Sequence, residues 1–213
     1  MPMVEQREYR SMTLRAKERA QDDAAGFIVE GYFTTYNQPY ELYRFNNVTV
    51  LEQVAPGAFD NADVSDVIMQ YDHRGHVYAR NSNNTLSLSD DEHGYSCRAD
   101  LSGTEIGRQL YEEIAGGYTT KMSFGFTISS KKEEITENED GSVTVLETIT
   151  GIRKLYDVSA VSLPANPGTE IEATRSAYAV GVAEKVIKEF EEKRAADKKQ
   201  KELALKLKIA MEV

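Results

Sequence analysis

Three residues on well-separated segments have the types needed for nucleophilic catalysis: a serine, a histidine and an aspartate. Ser123 lies in Lys121-Met122-Ser123-Phe124-Gly125-Phe126-Thr127-Ile128. Read as a strand, period two puts Met122, Phe124, Phe126 and Ile128 on one face and Ser123, Gly125 and Thr127 on the other. The first face suits a core. The second is small and hydroxylated, and Gly125 lets another backbone approach beside the Ser123 hydroxyl. On these residues alone, the plain reading is an ordinary half-buried strand with a solvated serine.

The chain has three histidines, His73, His76 and His93. His73 follows directly on the strand pattern Val67-Ile68-Met69-Gln70-Tyr71 and is the best placed for acid–base work. His76 is three residues on, a spacing that suits metal binding on a helix, but Asp72-His73-Arg74-Gly75-His76 reads as loop and no cysteine or second ligand pair accompanies it. His93 sits in an acidic glycine turn and reads as solvated. Asp157 stands in Leu155-Tyr156-Asp157-Val158-Ser159-Ala160-Val161, the least polar strand of the chain. A carboxylate buried there needs a partner, and one that orients an imidazole is the third member of a nucleophilic triad. The alternative is a strand exposed at that position. Cys97, the sole cysteine, reads as a small buried apolar group rather than a nucleophile.

Other catalytic signatures are missing. Lys121 stands two before Ser123, so there is no Gly-x-Ser-x-Gly turn of an α/β-hydrolase, and the sequence has neither a P-loop nor a dinucleotide fingerprint. No cofactor is expected.

The elements that must position these residues are mostly strands. Residues 1–25 read as a polar arm or first edge strand. Phe27 to Phe33, Val48 to Glu52 and Val67 to Tyr71 read as strands, with Asn37-Gln38-Pro39 as a break and Val54 to Phe59 as a turn into a short helical or irregular piece. Thr85–Ser89 and Tyr95–Leu101 read as a hairpin around Asp90 to Gly94. A helix follows, with Ser102 and Glu105 as a capping box, Ile106, Leu110 and Ile114 as its stripe, and Gly116-Gly117 as its stop. The Ser123 strand continues to about Glu134. Asn138-Glu139-Asp140-Gly141 turns the chain, Ser142 to Thr150 returns, and Ile152 to Leu163 forms a further strand ending at Pro164.

Residues 183–212 read as a charged helix with a thin stripe of Val186, Phe190, Leu203, Leu207 and Met211. The expected organisation is an arm over 1–25, a domain over 26–178 and a helical extension over 179–213. The expected fold is mainly β with helices, an α+β chain built on a closed or nearly closed β-barrel, or a sandwich.

The chain has 213 residues, enough to bury roughly 70% of its unfolded surface without disulfide support. One cysteine and no apolar run near ~20 residues point to a soluble chain in a reducing compartment, with no membrane partner. The start of the chain lacks the order of a signal peptide. The net charge of −10 argues against a generic nucleic-acid binder. Residues 183–213 carry nine Lys/Arg against seven Asp/Glu, so the remainder carries −12 and the last thirty residues form a distinct unit.

Three segments in order resemble the prohead (capsid maturation) serine proteases of tailed bacteriophages, a family related to the herpesvirus assemblins. Val67 to His73, with Tyr78-Ala79-Arg80 and Asn84-Thr85-Leu86, resembles the family's histidine motif. Lys121 to Phe126 resembles its nucleophile strand. Leu155 to Pro167 resembles its closing signature, an acidic residue then Val-Ser, ending in Pro-Ala-x-Pro. Glu30-Gly31-Tyr32 and Pro56-Gly57-Ala58-Phe59 also fit, and the resemblance spans about 26–170.

The resemblance implies an assemblin-type barrel and a serine endopeptidase with Ser123 as nucleophile, His73 as general base and Asp157 as the acidic member, Asp100 being the fallback. It implies residence in the host cytoplasm inside a portal-containing procapsid, cleavage of the scaffolding segment of the major capsid protein, and self-cleavage. Homo-oligomers are compatible with it. Two features depart from the pattern: Asp72-His73 replaces Asn-His, and the segment to Arg80 is a residue short. Arg80 is a candidate for the oxyanion, and the face at Gly125 for a substrate lying as an added strand. The C-terminal helix would dock to helical scaffold. The competing class is a catalytically silent assembly protein on the same barrel.

Overall fold

The computed structural model describes residues 8–13, 15–16, 26–45 and 47–162, with isolated positions between 185 and 199. In chain order the strands are β1 (Glu8–Thr13), β2 (Arg15–Ala16), β3 (Ile28–Thr35), β4 (Tyr40–Phe45), β5 (Val48–Val54), β6 (Ile68–Tyr71), β7 (Arg74–Arg80), β8 (Leu86–Asp90) and β9 (Gly94–Asp100). Helix α1 (Glu105–Ala115) then leads into β10 (Lys121–Glu137) and β11 (Val143–Val161). The charged helix expected over 183–212 lies, apart from those isolated positions, outside the described residues.

Two sheets form. One runs β1-β10-β11-β5-β4, with β6 also on β11 and β7 on β6; the other runs β2-β3-β9-β8. The expected closed or nearly closed barrel is therefore corrected: among the described residues neither sheet closes on itself. The reason is the length of β10 and β11, 17 and 19 residues. Such strands outrun a small barrel wall: their far halves pair with each other, and β5 and then β4 extend the sheet from the first half of β11. The segment at Gly151, expected as a break, is continuous strand. A Cβ there would meet the Ser129 and Ser130 hydroxyls at 2.6 and 2.5 Å, so these two side chains close over Gly151 and would have to rotate away to admit a larger residue.

The core lies between the sheets. Met122, Phe124 and Phe126 of β10 and Val158 and Ala160 of β11 face Val29 and Phe33 of β3, with Leu110, Tyr111 and Ile114 of α1 closing one side. Phe33 touches Phe59, Tyr95 and Phe124, with ring centroids 5.2 to 5.9 Å apart. Fully burying each of these rings contributes about 1.5–3 kcal/mol.

Pro56-Gly57-Ala58-Phe59 begins a run of turns, not a helix. This loop lies along β11 between the stretches taken by β5 and β6, and its backbone satisfies β11 through Ala55 N–H to Ile149 O and Ile152 N–H to Ala58 O. The α1 cap is also corrected. Thr104, not Ser102, is the N-cap, its hydroxyl accepting the Gly107 N–H at 3.0 Å. Strand β4, not anticipated, follows the Asn37-Gln38-Pro39 break.

Register irregularities at four points between Gly125 and Lys131 bend β10 sharply. Arg10 of β1 is paired opposite Phe124, whereas Glu52 of β5 pairs with Glu147, which in turn pairs with Glu133. Along a straight strand Phe124 and Glu133 would be roughly 30 Å apart. Yet the Arg10 guanidinium makes a bidentate contact with the Glu52 carboxylate, which Tyr40 also bonds. The sheet therefore folds back on itself, and a buried ion pair ties β1 to β5. Glu52 is 1% exposed.

Removing one partner of such a pair strands a charge. Glu52→Ala should lower unfolding free energy by about 3 kcal/mol, read from the denaturant midpoint, and replacing Arg10 and Glu52 together by apolar residues should cost less.

Candidate active site

His73 occupies the tip of the β6–β7 hairpin, where Tyr71 pairs with Arg74 across a two-residue turn. Asp72 and His73 have φ of 48° and 56°, as a turn that matches strand twist requires at both central positions. Neither residue is the usual Asn-Gly, and a left-handed histidine costs about 1–2 kcal/mol. Tertiary bonds hold it. The Asp72 N–H donates to Ala160 O at 2.9 Å, and the Asp72 carboxylate accepts from the Ser162 N–H and hydroxyl, both at 2.9 Å. The hairpin tip is thereby fastened to the end of β11. The expected loop over 72–76 is corrected to this turn and the start of β7.

The register of β10 with β11 sets the other two residues. Ser123 lies opposite Ser159, and Gly125 opposite Asp157. Ser123, Asp157 and Ser159 therefore share the face away from the core, and Gly125 offers no side chain to crowd the carboxylate. His73 reaches across β11 to join them. Its Nδ1 lies 2.5 Å from Asp157 Oδ1 and its Nε2 2.7 Å from Ser123 Oγ. A carboxylate can only accept, so Nδ1 donates to Asp157 and Nε2 is left to accept the Ser123 hydroxyl proton. The Ser159 hydroxyl donates to the same Asp157 oxygen at 2.7 Å.

Burial sharpens the arrangement. Ser123 and Asp157 are each 1% exposed, so the solvated serine and the exposed aspartate both give way to buried groups. The His73 side chain, 17% exposed, is the part of the trio that solvent reaches. A buried hydroxyl bonded to a neutral imidazole nitrogen, with the other nitrogen held by a carboxylate, can lose its proton as it attacks an electrophilic carbon.

The structure brings Ser123, His73 and Asp157 together and leaves the other candidates elsewhere. The Asp100 carboxylate is engaged by Ser102, which holds it below its ordinary range. Arg80, the suggested oxyanion group, makes a bidentate pair with Asp66. His76 is exposed on β7. With both His73 nitrogens committed, a His73/His76 metal pair is not formed, and among the described residues no cluster of His, Cys, Asp or Glu could hold a metal ion. His93 packs edge-on against Tyr32 at 4.6 Å.

The substrate expected as a strand beside β10 meets an obstacle, since β1 pairs with residues 121–126 on one edge and β11 on the other. Ser159, noted only as the serine of the closing Val-Ser, and Asp72, noted only as a departure from Asn-His, were given no role by the sequence. For Ser159 the available signal was its position two residues past Asp157, on the same strand face.

Cys97 is buried, and burial pushes its thiol up to about 12. The native protein should therefore resist a disulfide thiol reagent at pH 8 and react with one equivalent only on denaturation, followed by absorbance.

A family model for the caudovirus prohead serine protease matches residues 12–182. No curated protein and no solved structure matches the chain. No described helix is long and apolar enough to cross a membrane. The match covers well over half of the sequence and contains all three residues that converge at the hairpin tip, and by it the chain belongs to the caudovirus prohead serine protease family.

Proposed function

We propose that this chain is the serine endopeptidase of procapsid maturation, with Ser123 as nucleophile, His73 as general base and Asp157 as the group that orients the imidazole. The observation that carries the reading is the unbroken relay from Ser123 Oγ to His73 Nε2 at 2.7 Å and from His73 Nδ1 to Asp157 Oδ1 at 2.5 Å. Family membership independently supports the reaction class.

In this mechanism His73 Nε2 takes the Ser123 proton as Oγ attacks the scissile carbonyl. Asp157 keeps the proton of Nδ1 in place and stabilises the imidazolium that forms. Collapse of the tetrahedral adduct breaks the C–N bond, and the imidazolium returns its proton to the leaving amine. Water then repeats the sequence on the acyl-enzyme. With Arg80 bound to Asp66, the developing oxyanion is assigned to backbone N–H groups. Because both edges of β10 are filled at Ser123, substrate approaches from the side where His73 is exposed.

The substrate in this reading is the scaffolding segment of the major capsid protein inside the procapsid, in the host cytoplasm, together with sites in the enzyme's own chain. The rigid attachment of the His73 turn to Ser162 supports a site already set for chemistry before substrate arrives.

Co-expression with the cognate capsid protein tests the assignment. Wild type should yield shortened capsid protein and self-cleaved enzyme by mass spectrometry, and Ser123→Ala and His73→Ala should yield neither. Asp157→Asn should slow cleavage by roughly 10³-fold or more. A chelator should leave cleavage unchanged. Identical full-length products from wild type and Ser123→Ala would instead mark a catalytically silent assembly protein.

A further inference from the structure

We propose that Ser159 is a positioning residue for this reaction, fixing the Asp157 carboxylate in the rotamer that orients His73. The inference rests on the reading of Ser123 as nucleophile and adds a fourth residue to the site. Ser159 lies two residues past Asp157 on β11 and directly opposite Ser123 on β10, so its side chain projects into the polar face that the trio shares. It is 0% exposed, which leaves its hydroxyl no water to bond. That hydroxyl donates to Asp157 Oδ1 at 2.7 Å, the same oxygen to which His73 Nδ1 is bonded at 2.5 Å.

The consequence is an asymmetric carboxylate. Oδ1 takes both bonds, while Oδ2 is buried and has no hydrogen-bond partner among the described residues. A quarter-turn of the carboxylate, or a shift of χ1, takes the shared oxygen away from both donors at once. With the imidazole as sole partner, the carboxylate and the ring could drift together, and Nε2 would leave the line of the Ser123 proton. The Ser159 bond is made within one strand, over two residues, so the backbone itself sets the position of Oδ1. A bond to a charged acceptor is also among the stronger kinds.

Ser159 is not a second nucleophile. His73 has both nitrogens committed, Nδ1 to Asp157 and Nε2 to Ser123, so no imidazole remains to take a Ser159 proton. Its proton goes to a carboxylate that holds it without removing it. The role is to orient, through Asp157, a group that itself touches the reacting atoms.

The test uses the full chain and a fluorophosphonate probe, which phosphonylates an activated serine with loss of fluoride and needs no knowledge of the cleavage site. The limiting labelling rate and the half-saturating probe concentration are measured for wild type, Ser159→Ala, Ser159→Cys, Asp157→Asn and the Asp157→Asn/Ser159→Ala double variant, with thermal midpoints in parallel. Wild type should be labelled at Ser123. Ser159→Ala should lose about ten-fold in limiting rate at an unchanged half-saturating concentration. The isosteric Ser159→Cys, a weaker donor, should fall between the two. Because Ser159 acts through Asp157, its removal should cost little further rate in the Asp157→Asn background.

Full labelling rate in Ser159→Ala, or an equal loss with and without the Asp157 carboxylate, would overturn the inference and leave the Ser123 reading standing. Absence of labelling at Ser123 in wild type would overturn both.

Discussion

The pairing register of β10 with β11 is the constraint on which the rest of the molecule depends. Side chains alternate along a strand, so a slip of one residue would turn Met122, Phe124 and Phe126 outward and Ser123 into the core. The core prevents that slip. Phe124 packs against Phe33 and stacks on Phe126, while Val158 and Ala160 face the same layer from β11. The apolar face thus holds the polar face in place, and Ser123, Ser159 and Asp157 become neighbours because large rings on the other side cannot move.

A second consequence of these long strands is the bend in the sheet. The irregularities between Gly125 and Lys131 fall just past the half of β10 that carries Ser123, so the near half stays in regular register with β1 and β11 while the far half folds away with β4 and β5. The bend carries Glu52 to Arg10, and their buried pair fastens β1 along the edge of the Ser123 strand. Glu147, beside Glu52 in the parallel ladder, is raised by burial and accepts a bond from Lys131. This interior is more polar than the two-sheet core because the carboxylates, unlike the aromatic rings, need partners wherever they are buried.

Only the imidazole comes from outside the β10–β11 pair. Its placement depends on an energetically unfavourable turn, with Asp72 and His73 both left-handed, and the Asp72 bonds to Ala160 and Ser162 offset that cost. The same strand, β11, therefore carries Asp157, pairs with Ser123 and anchors the turn that presents His73. Concentrating these three tasks on one strand ties the positions of Ser123, His73 and Asp157 to the same backbone.

Much of this was legible in the sequence. Period-two alternation marked the Ser123 strand with its heavy and small faces, a place directly after a strand singled out His73 among three histidines, and a lone carboxylate in an apolar strand singled out Asp157. The ordered segments around them pointed to the family. What the sequence alone determined is local: strand patterns, the helix stripe with its glycine stop, and which residues had the chemistry.

The open sheets, the continuity of β11 through Gly151, the turn at Asp72-His73 and the contact of His73 with Asp157 rather than Asp100 were decided only in three dimensions. Each depends on contacts between residues tens of positions apart, such as Asp72 with Ser162, Arg10 with Glu52 and Gly151 against Ser129 and Ser130. Local propensity carries no information on such pairs, because the energy that settles them exists only once distant strands have met.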